Sequence, residues 1–379
     1  MIIRRQLQLA GGRVAFLWGP RQVGKSHWIR DNLLKTHRVI DLLKSDEFAD
    51  LAARPALLRE RWTGQPTVID EVQKIPALLD EVHWLVENRG AEIVLTGSSA
   101  RKLRRTHANL LGGRARRYEM GPLSYSEVDS FDLEHIVHCG LLPPHYLSDD
   151  PVSDLRGYVA DYLREEIAQE AAARNLPAFT QFLRAAAITN AELINYTNVA
   201  SDCGVSAKVV KGYFEILEDT FLGHRLQAWR KSKTRRLIGT EKFYWFDVGV
   251  TNYLARRRPM LGSQEFGKSF EHLMWMELTN YRRYRAPEME LSYWRTSTGH
   301  EVDFIVGDMT LAIECKASGR ITTRDLSGLR ALQEDQGVRH KIIVCLETQP
   351  RKLDDGIEII PWQLFLDRLW SGEWQDHIG

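Results

Sequence analysis

The sequence feature that most restricts the fold is an octapeptide with two glycines, Gly19–Ser26, which fits the pattern GxxxxGK[ST]. It follows the apolar run Val14–Trp18 and opens a helical pattern, the strand–loop–helix context in which this pattern binds phosphate. Its glycines let backbone N–H groups turn toward a phosphate, and the helix N-terminus adds a partial positive charge. Lys25 would then reach the β- and γ-phosphates of a nucleoside triphosphate, and the Ser26 hydroxyl would coordinate Mg²⁺. The alternative is a glycine-rich turn that binds nothing. The predicted nucleotide-binding residues of this loop are Gly19, Pro20, Arg21, Gln22, Val23, Gly24, Lys25 and Ser26.

Short apolar runs alternate with helical patterns in the N-terminal part of the chain. The runs are Val14–Trp18, Val39–Leu42, Thr67–Asp70, Glu92–Thr96 and a weaker one at Ala115–Met120. Helical patterns at Lys25–Lys35 and Ile75–Glu87 lie between them. Short apolar strands that are connected by helices form parallel sheets covered on both faces. The predicted fold class is therefore α/β.

An acidic pair, Asp70 and Glu71, ends the third apolar run. Asp70 is expected to hold the Mg²⁺ shell, and Glu71 to orient or deprotonate the attacking water. Both acids could instead cap the following helix, because carboxylates favour a first turn. Thr96 and Ser98, at the end of the next run, could contact the γ-phosphate or the water, with a plain helix N-cap as the alternative.

A basic segment, Arg101–Arg117, contains seven Lys or Arg residues and no acid. Within it Gly112 and Gly113 precede Arg114, so this arginine is expected to project from a turn. It could stabilise γ-phosphate charge in a neighbouring subunit, as an arginine finger does. A solvated loop arginine is the alternative. The finger interpretation predicts a homo-oligomer, with a ring as one possible arrangement.

Five sequence blocks together resemble the AAA+ ATPases of the AAA_14 group, which is usually joined to a C-terminal DUF4143 region. The blocks are Gly19–Ser26, Ile69–Pro76, Leu95–Ser99, Leu111–Arg114 and Pro122–Glu127. The resemblance covers essentially the whole chain and implies an AAA+ core that binds and hydrolyses ATP with Mg²⁺. It assigns Lys25 and Ser26 to the phosphates and Mg²⁺. It also makes Asp70 and Glu71 the Walker B pair and Arg114 the finger. Many AAA+ enzymes carry Asn at the sensor position, where this chain offers Thr96, Ser98 and Ser99.

The middle of the chain contains a helix-turn-helix pattern at about 193–218. Ala200, Gly204 and Val210 fall where this motif has its small contact, its turn glycine and its core aliphatic residue. Ser206 would N-cap the second helix. The exposed N-terminal half of that helix, where recognition helices meet bases, would carry Ala207, Lys208 and Lys211.

A basic run, Arg225–Arg236, follows with six Lys or Arg residues, no acid and Trp229 between them. Together with the helix pair it is typical of a winged helix whose wing meets phosphates, so DNA is predicted as a partner. A nucleotide lid or a protein docking module would use the same winged helix, and a basic run can also be a solvated loop.

Acidic residues recur on two predicted strands near the C-terminus, Glu301–Val306 and Leu311–Lys316. Strand residues alternate between faces, so Glu314 and Lys316 should point the same way, with Asp303 on the neighbouring strand. Two converging carboxylates would form a hard-oxygen Mg²⁺ site, and the lysine could steady phosphate charge. Glu271, on the preceding helix, could complete the shell.

This order of helix Glu, strand Asp and Glu-x-Lys resembles the PD-(D/E)XK nuclease fold, most closely the archaeal Holliday-junction resolvases. The resemblance implies a restriction-endonuclease-like α/β domain in which Glu271, Asp303 and Glu314 bind metal. Asp303, Glu314 and Lys316 would be its catalytic residues. A retained nuclease scaffold without cutting activity is the alternative.

Composition excludes several other classes of protein. Lys and Arg total 51 against 50 Asp and Glu, so a DNA-binding surface would have to come from local clustering of charge. The four Cys form no CxxC pair, which disfavours a disulfide scaffold or a zinc site and fits a reducing compartment. No apolar run approaches the ~18 residues that a membrane span needs.

Turn-forming residues in the stretch Leu133–Pro151 indicate a domain boundary. The expected domains are an AAA+ core at 1–130, a helical lid and winged helix at 131–260, and a nuclease-like domain at 261–379. The leading hypothesis is a cytoplasmic AAA+ ATPase that couples ATP hydrolysis to a DNA-binding, nuclease-like module. The alternative is a nucleotide-gated switch or docking protein with an inactive nuclease scaffold.

Overall fold

The computed structural model describes residues 3–101, 103, 115–166, 175–230, 237 and 239–378. Its N-terminal part contains a five-stranded sheet in the order β2-β3-β4-β1-β5, in which all neighbouring strands run parallel. The strands are β1 (Val14–Trp18), β2 (Arg38–Asp41), β3 (Thr67–Asp70), β4 (Ile93–Gly97) and β5 (Ala115–Glu119). The predicted parallel sheet is confirmed, and each predicted apolar run in this part overlaps one of these strands, with limits that differ by at most one residue at either end.

Both faces of this sheet are covered, since every residue of its central strands β1, β3 and β4 is buried. Phe16 and Ile69 belong to a buried cluster on one face, and Leu17 and Val68 belong to another cluster on the opposite face. This division follows from the alternation of side chains along a strand. The helices of this part are α1 (Lys25–Asn32), α2 (Ser45–Ala53), α3 (Leu57–Glu60) and α4 (Leu78–Arg89).

Two of the predicted helices have different limits in the structure. The helix expected at Ile75–Glu87 begins instead at Leu78 and ends at Arg89, and a separate 3-10 helix at Val72–Lys74 precedes it. Ile75 precedes a proline and adopts φ −132° and ψ 79°, since the proline ring disfavours helical geometry in the residue before it. The helix expected to run to Lys35 ends at Asn32, because the chain turns there to bring β2 beside β3.

Helices dominate the middle of the described chain. They are α5 (Leu133–Cys139), α6 (Pro143–Tyr146), α7 (Pro151–Gly157), a π-helix (Tyr158–Glu166), α8 (Leu176–Ile188), α9 (Tyr196–Cys203), α10 (Ala207–Asp219) and α11 (Val248–Ala255). Strands β6 (Gly223–Leu226) and β7 (Lys242–Trp245) form an antiparallel pair after α10. Phe182 of α8 and Phe214 of α10 share a buried cluster with Leu17 of β1. The central helices therefore cover one face of the N-terminal sheet.

Helices α9 and α10 are joined by a short turn at the residues where the sequence predicts one. Gly204 ends α9 in a left-handed conformation (φ 63°), which favours glycine. The Ser206 side chain accepts a hydrogen bond from the backbone N–H of Val209 at 3.4 Å and so caps α10. Val210 is fully buried. Residues 231–236, the centre of the predicted wing, lie outside the described residues, so the winged helix stays a prediction.

The C-terminal part contains a six-stranded mixed sheet in the order β12-β13-β11-β10-β9-β8. Its strands are β8 (Leu291–Arg295), β9 (Glu301–Val306), β10 (Leu311–Lys316), β11 (His340–Cys345), β12 (Arg351–Lys352) and β13 (Ile357–Pro361). Its helices are α12 (Gln264–Tyr284), α13 (Ser327–Asp335), α14 (Trp362–Ser371) and α15 (Gln375–Ile378). Strands β9 and β10 have the predicted limits, whereas β12, β13 and α14 were not predicted. Helix α12 begins at Gln264, because Ser263 caps it by accepting from the N–H of Phe266 at 3.1 Å.

Helix α12 joins the C-terminal sheet to the N-terminal one. Near its C-terminal end Arg283 pairs with Glu119 of β5. The Asn280 amide donates to the Pro122 carbonyl at 3.2 Å, just beyond the same strand. The N-terminal and C-terminal sheets are thus linked through one helix. Among the described helices, none combines the length and the apolar character needed to cross a membrane.

Candidate functional site

The octapeptide Gly19–Ser26 forms a loop between β1 and α1. Gly19 has φ 151°, and a Cβ there would lie 2.3 Å from the Met120 carbonyl oxygen, so only glycine fits. Gln22 and Gly24 are left-handed, with φ 66° and 97°. These angles wrap the loop tightly before α1 starts, with the helix N-terminus directed into the loop.

The Lys25 side chain lies inside this loop and is only 6% exposed. Its ammonium donates to the carbonyls of Gly19 at 2.6 Å and Pro20 at 2.8 Å. Burial lowers its pKa to about 8, while the nearby carboxylates of Glu71 and Asp70 act in the opposite direction. The loop therefore holds a desolvated cation that forms no ion pair with any described residue.

The acidic pair at the end of β3 lies beside this loop. The Ser26 hydroxyl donates to Asp70 Oδ2 at 3.1 Å, and the Thr96 hydroxyl donates to Asp70 Oδ1. Burial raises the pKa of Asp70, partly offset by these two hydroxyl donors. A serine hydroxyl beside a carboxylate is a hard-oxygen donor set, which suits Mg²⁺.

Glu71 adopts a left-handed conformation, φ 61° and ψ 43°, which is unusual for a residue with a side chain. Glu71 precedes the 3-10 helix Val72–Lys74, but its side chain forms no capping hydrogen bond with that helix. The helix-capping alternative therefore does not describe its side chain. Its carboxylate accepts from the Gln73 amide and from the Ser98 hydroxyl, the latter at 3.3 Å. The Gln73 amide also donates to Ser98 Oγ at 3.2 Å.

Thr96 and Ser98 thus contact the acidic pair rather than serving as helix caps. The N-cap alternative applies instead to Ser99, whose hydroxyl accepts from the Arg101 N–H at 3.3 Å. Gln73 was missed by the sequence reasoning, although it lies within the block Ile69–Pro76. Its signal is its spacing, two residues after the acid that it contacts.

A cleft of about 550 Å³ opens in front of the phosphate loop. Lys25, Ser26 and Glu71 line one side of it, and His145 of α6 and Tyr158 of the π-helix line the other. The predicted phosphate site therefore faces the central helices. Both ring nitrogens of His145 are buried without a hydrogen-bond partner among the described residues, and burial lowers its pKa to about 4. Arg114 lies outside the described residues.

The predicted nuclease-like residues lie together in the C-terminal sheet. Asp303 is on β9 and Glu314 is on the adjacent β10, and Asp303 Oδ2 accepts from the Cys315 N–H at 2.8 Å. The Lys316 ammonium donates to Glu314 Oε1 at 2.6 Å. Burial is the main cause that raises the pKa of both Asp303 and Glu314.

Glu271 of α12 also lies in this cluster, but its contacts are with two residues that sequence reasoning missed. Its Oε1 accepts from the Tyr244 hydroxyl at 2.6 Å and from the Lys242 ammonium at 3.3 Å. Lys242 is also 2.5 Å from Glu301 Oε1 and 4.0 Å from Asp303 Oδ1. We call these residues the carboxylate cluster: Lys242, Tyr244, Glu271, Glu301, Asp303, Glu314 and Lys316.

The expected metal site is not assembled by this cluster. Within the ranges that the structure describes, no group of three or more His, Cys, Asp or Glu side chains is arranged to hold a metal ion. The buried Oε2 of Glu314 has no hydrogen-bond partner in the part of the chain that the structure describes, which would suit a metal ligand. However, the Lys242 ammonium already contacts Glu271 and Asp303, so the three predicted ligands do not fit a divalent ion in this arrangement.

The predicted DNA-binding surface is only partly as expected. Lys208 and Lys211 are exposed on α10, Ala207 is half-buried, and the Lys211 ammonium lies 5.2 Å from the Tyr196 ring centre. Trp229, expected in a basic wing, is buried in the core of the C-terminal sheet. Because it packs against apolar residues there, Trp229 is not available to contact nucleic acid.

Arg225, the first residue of the predicted basic run, is also engaged within the protein. It pairs with Glu218 at 2.9 Å and with Glu241 at 3.4 Å. Two carboxylates at this distance neutralise its charge, so it contributes little to a phosphate-binding surface.

A parallel sheet with this loop after β1, and an acidic pair at the end of β3, which is separated from β1 by β4 alone, defines a P-loop nucleotide-binding domain. Comparison with protein families agrees. A model described as AAA domain (AAA_14) matches residues 11–129. Two models described as domains of unknown function, DUF8612 and DUF4143, match residues 130–261 and 266–365. The chain therefore carries an AAA domain followed by a DUF4143 region, in the order that the resemblance implied.

The comparison with curated proteins adds a relative but no activity. An uncharacterized protein of Haemophilus influenzae is 23% identical over 317 residues, which cover 77% of this chain and 75% of that protein. The AAA domain implies ATP binding, usually with Mg²⁺, and a P-loop ATPase-type hydrolase. The PD-(D/E)XK nature of the DUF4143 region stays a prediction.

Proposed function

We propose that the protein binds ATP with Mg²⁺ through Gly19–Ser26 and hydrolyses it with Glu71 as the base. The observation that carries this proposal is the hydrogen bond between Ser26 and Asp70, 3.1 Å long, beside the buried Lys25. These are the two residue types that hold Mg²⁺ in P-loop enzymes, next to the lysine that meets the phosphates. Bound Mg²⁺ would neutralise charge on the phosphate oxygens.

In the proposed reaction Glu71 accepts a proton from the attacking water. Gln73 and Ser98 hold its carboxylate by hydrogen bonds, which leaves it oriented at the edge of the cleft. Thr96 fixes Asp70 and also accepts from the Glu71 N–H at 3.3 Å, so one side chain sets both acids. Thr96 and Ser98 are thus proposed as sensor-position residues in place of the usual Asn.

The first experiment measures Mg²⁺-dependent phosphate release by the purified chain and by Lys25→Ala. Lys35→Ala is the matched control, since Lys35 is an exposed lysine just beyond the same helix. We expect Lys25→Ala to lose ATP binding and turnover, and Lys35→Ala to keep both. Equal turnover in all three proteins would contradict the proposal.

Coupling of the nucleotide site to the C-terminal unit is proposed from the contacts of Arg5. This buried guanidinium donates to the Val23 carbonyl in the phosphate loop, to Gly121 O at 2.7 Å and to the Tyr284 hydroxyl at 3.1 Å. It therefore touches both the loop and the end of α12, which also carries Glu271. A change in the loop on nucleotide binding can reach the carboxylate cluster through this helix.

Hydrogen exchange tests this coupling. With ATP and Mg²⁺ we expect altered amide protection in α12 of the wild type and a reduced change in Arg5→Lys, which cannot make the same set of donors. Nucleotide-dependent protection confined to the N-terminal sheet in both proteins would contradict it.

DNA contact by α10 is a separate proposal, supported by the exposed Lys208 and Lys211 near the capped helix N-terminus. Fluorescence anisotropy with duplex and branched DNA would compare Lys208→Ala with Lys35→Ala over a range of salt. If Lys208 meets a phosphate, its loss should reduce the slope of log affinity against log salt by about 1. An unchanged slope would oppose this contact.

Assembly through Arg114 also remains a proposal, carried by its sequence position alone. Mixing Arg114→Ala with Lys25→Ala subunits should restore part of the turnover if the arginine acts on a neighbouring subunit. No recovery in the mixture, with both variants folded, would point to a working monomer.

A further inference from the structure

Lys242 is the most deeply buried cation of the carboxylate cluster. It begins β7 in the central unit, yet its side chain is only 3% exposed and reaches into the C-terminal sheet. Its ammonium contacts Glu301 at 2.5 Å and Glu271 at 3.3 Å, and it lies 5.4 Å from the Tyr293 ring centre. The central unit therefore supplies a positive charge to a site whose carboxylates come from α12, β9 and β10.

The other cations near these carboxylates are engaged at the edges of the cluster. Lys316 pairs with Glu314 at 2.6 Å and also acts on Asp303, and Arg295, which lies outside the cluster, pairs with Glu301 Oε2 at 2.9 Å. Among the described residues, Lys242 is the cation that pairs with Glu271. A buried carboxylate without a partner cation is strongly unfavourable, so this lysine is a structural requirement of the cluster as it stands.

We propose that Lys242 is a built-in cation that occupies the position a divalent metal would need between Glu271 and Asp303. The ammonium lies 3.3 Å from Glu271 Oε1 and 4.0 Å from Asp303 Oδ1. A metal bound by the same two oxygens would sit about 2.0–2.6 Å from each of them, in contact with the ammonium and repelled by it. Metal binding and the Lys242 contacts therefore exclude each other.

This exclusion has a structural consequence for the central unit. Lys242 is fixed at the start of β7, which pairs with β6, and Tyr244 of the same strand donates to Glu271 at 2.6 Å. A metal could enter only if the Lys242 side chain leaves the cluster. The β6–β7 pair is thus placed to control whether the C-terminal carboxylates take a metal, whatever chemistry follows.

The test titrates Mn²⁺ into the full, nucleotide-free chain and measures free Mn²⁺ by electron paramagnetic resonance. We expect Lys242→Met to bind Mn²⁺ at least tenfold more tightly than wild type, and Asp303→Asn in the Lys242→Met chain to remove that gain. Lys341→Met is the matched control, because Lys341 is buried in the same sheet but donates to the Asp355 carbonyl. Equal affinity in wild type and Lys242→Met, or no Asp303-dependent binding in Lys242→Met, would overturn the proposal.

A second measurement needs no variant at Lys242 and covers the case in which Lys242→Met does not fold. Amine-reactive labelling followed by mass spectrometry would report the accessibility of Lys242 in wild type. We expect Lys242 to be protected without metal and labelled more where Mn²⁺ binds in an Asp303-dependent way. Asp303-dependent Mn²⁺ binding with Lys242 still fully protected would contradict exclusion, whereas absence of such binding in wild type would support it.

Discussion

The nucleotide site and the carboxylate cluster both gather buried acids at the ends of strands, but they satisfy these acids differently. Asp70 and Glu71 accept hydrogen bonds from neutral hydroxyl and amide groups, while Lys25 donates to backbone carbonyls. In the carboxylate cluster, Lys242 and Lys316 pair directly with the acids. One site holds its acids with neutral hydrogen-bond donors, and the other holds its acids with lysine ammonium groups at contact distance.

This difference teaches what an acidic group of residues needs before it can take a metal. Neutral donors orient a carboxylate without cancelling its charge, so the group can still gain from a divalent cation. A lysine at contact distance already gives the carboxylates a favourable interaction with a positive charge, so a metal can bind only if it displaces the lysine. The order of acidic residues along the sequence therefore indicates a metal site less strongly than the presence of neutral hydrogen-bond donors around their carboxylates.

The largest expected effect separates the chemistry of the two sites. Glu71→Gln should lower the rate of ATP turnover by about 10²-fold or more, because loss of a general base commonly costs this much. ATP binding should persist, so the variant should stall with nucleotide bound. Phosphate release and nucleotide retention on gel filtration measure both effects.

The control for this prediction is Glu288→Gln, an exposed acid in the turn after α12. It should turn over ATP like wild type. If Glu71→Gln kept near-normal turnover, Glu71 would not be the base. The difference between the two acidic sites would then not reflect a catalytic role of the acids in the nucleotide site. A switch protein, in contrast, would keep its partner binding in Glu71→Gln without any turnover to lose.

The second prediction compares the two buried lysines by stability. Lys242→Met should lower the free energy of unfolding by about 3–5 kcal/mol, because it leaves buried carboxylates without a cation. Lys25→Met should cost only ~1 kcal/mol, since it loses hydrogen bonds to carbonyls and also removes a desolvated charge. Urea unfolding at neutral pH measures both values. Similar losses for the two variants would mean that the carboxylate cluster is not held together by Lys242.

The residues of the proposed nucleotide site could be grouped from the sequence because they are contiguous at strand ends. The loop Gly19–Ser26 follows β1 directly, and Asp70 and Glu71 stand at the end of β3. Both strands pair in parallel with β4, so their carboxyl ends lie at the same edge of the sheet. Only Gln73 was assigned no role. Its contact with Glu71 depends on the left-handed backbone of that acid, which the sequence pattern around it does not predict.

The carboxylate cluster was predicted only in part, for the opposite reason. Asp303, Glu314 and Lys316 follow from strand alternation on β9 and β10. Lys242, however, lies at the start of the apolar strand β7 and reads as an ordinary strand-end lysine. Packing between segments far apart in the sequence brings Lys242 to Glu271 and Glu301, and local sequence patterns do not predict such packing. Trp229 was placed in a basic wing for the same reason, although apolar contacts bury it.

The third prediction tests whether neutral donors orient the proposed base. Gln73→Ala should reduce the turnover rate about tenfold, the equivalent of one lost hydrogen bond of ~1.4 kcal/mol, with little change in KM for ATP. Gln73→Glu should be worse, because it brings a second carboxylate against Glu71. Steady-state kinetics separates the two parameters. A change in KM alone would assign Gln73 to nucleotide binding instead of positioning Glu71.

The smallest expected effect, ~1 kcal/mol for each pH unit, concerns Glu277, which lies on the same helix as Glu271 but forms no ion pair with the described residues. Its carboxylate accepts from the Tyr125 N–H at 3.0 Å and from the Trp370 indole at 2.8 Å, and burial raises its pKa to about 8 from 4.5. The folded protein therefore keeps a proton that the unfolded chain has released above pH 4.5. The stability from this group is complete below pH 4.5 and is lost as the pH rises through 8.

Unfolding by urea should accordingly show stability falling by ~1 kcal/mol per pH unit between about pH 5 and 8, before other groups contribute. Glu277→Gln should flatten this part of the profile, because glutamine cannot ionise. Its hydrogen-bond loss with Trp370 or Tyr125 would lower stability equally at every pH, so the slope and not the level is diagnostic. An unchanged slope in Glu277→Gln would mean that neutral donors alone keep a buried carboxylate ionised, and the lysines of the carboxylate cluster would then need another explanation.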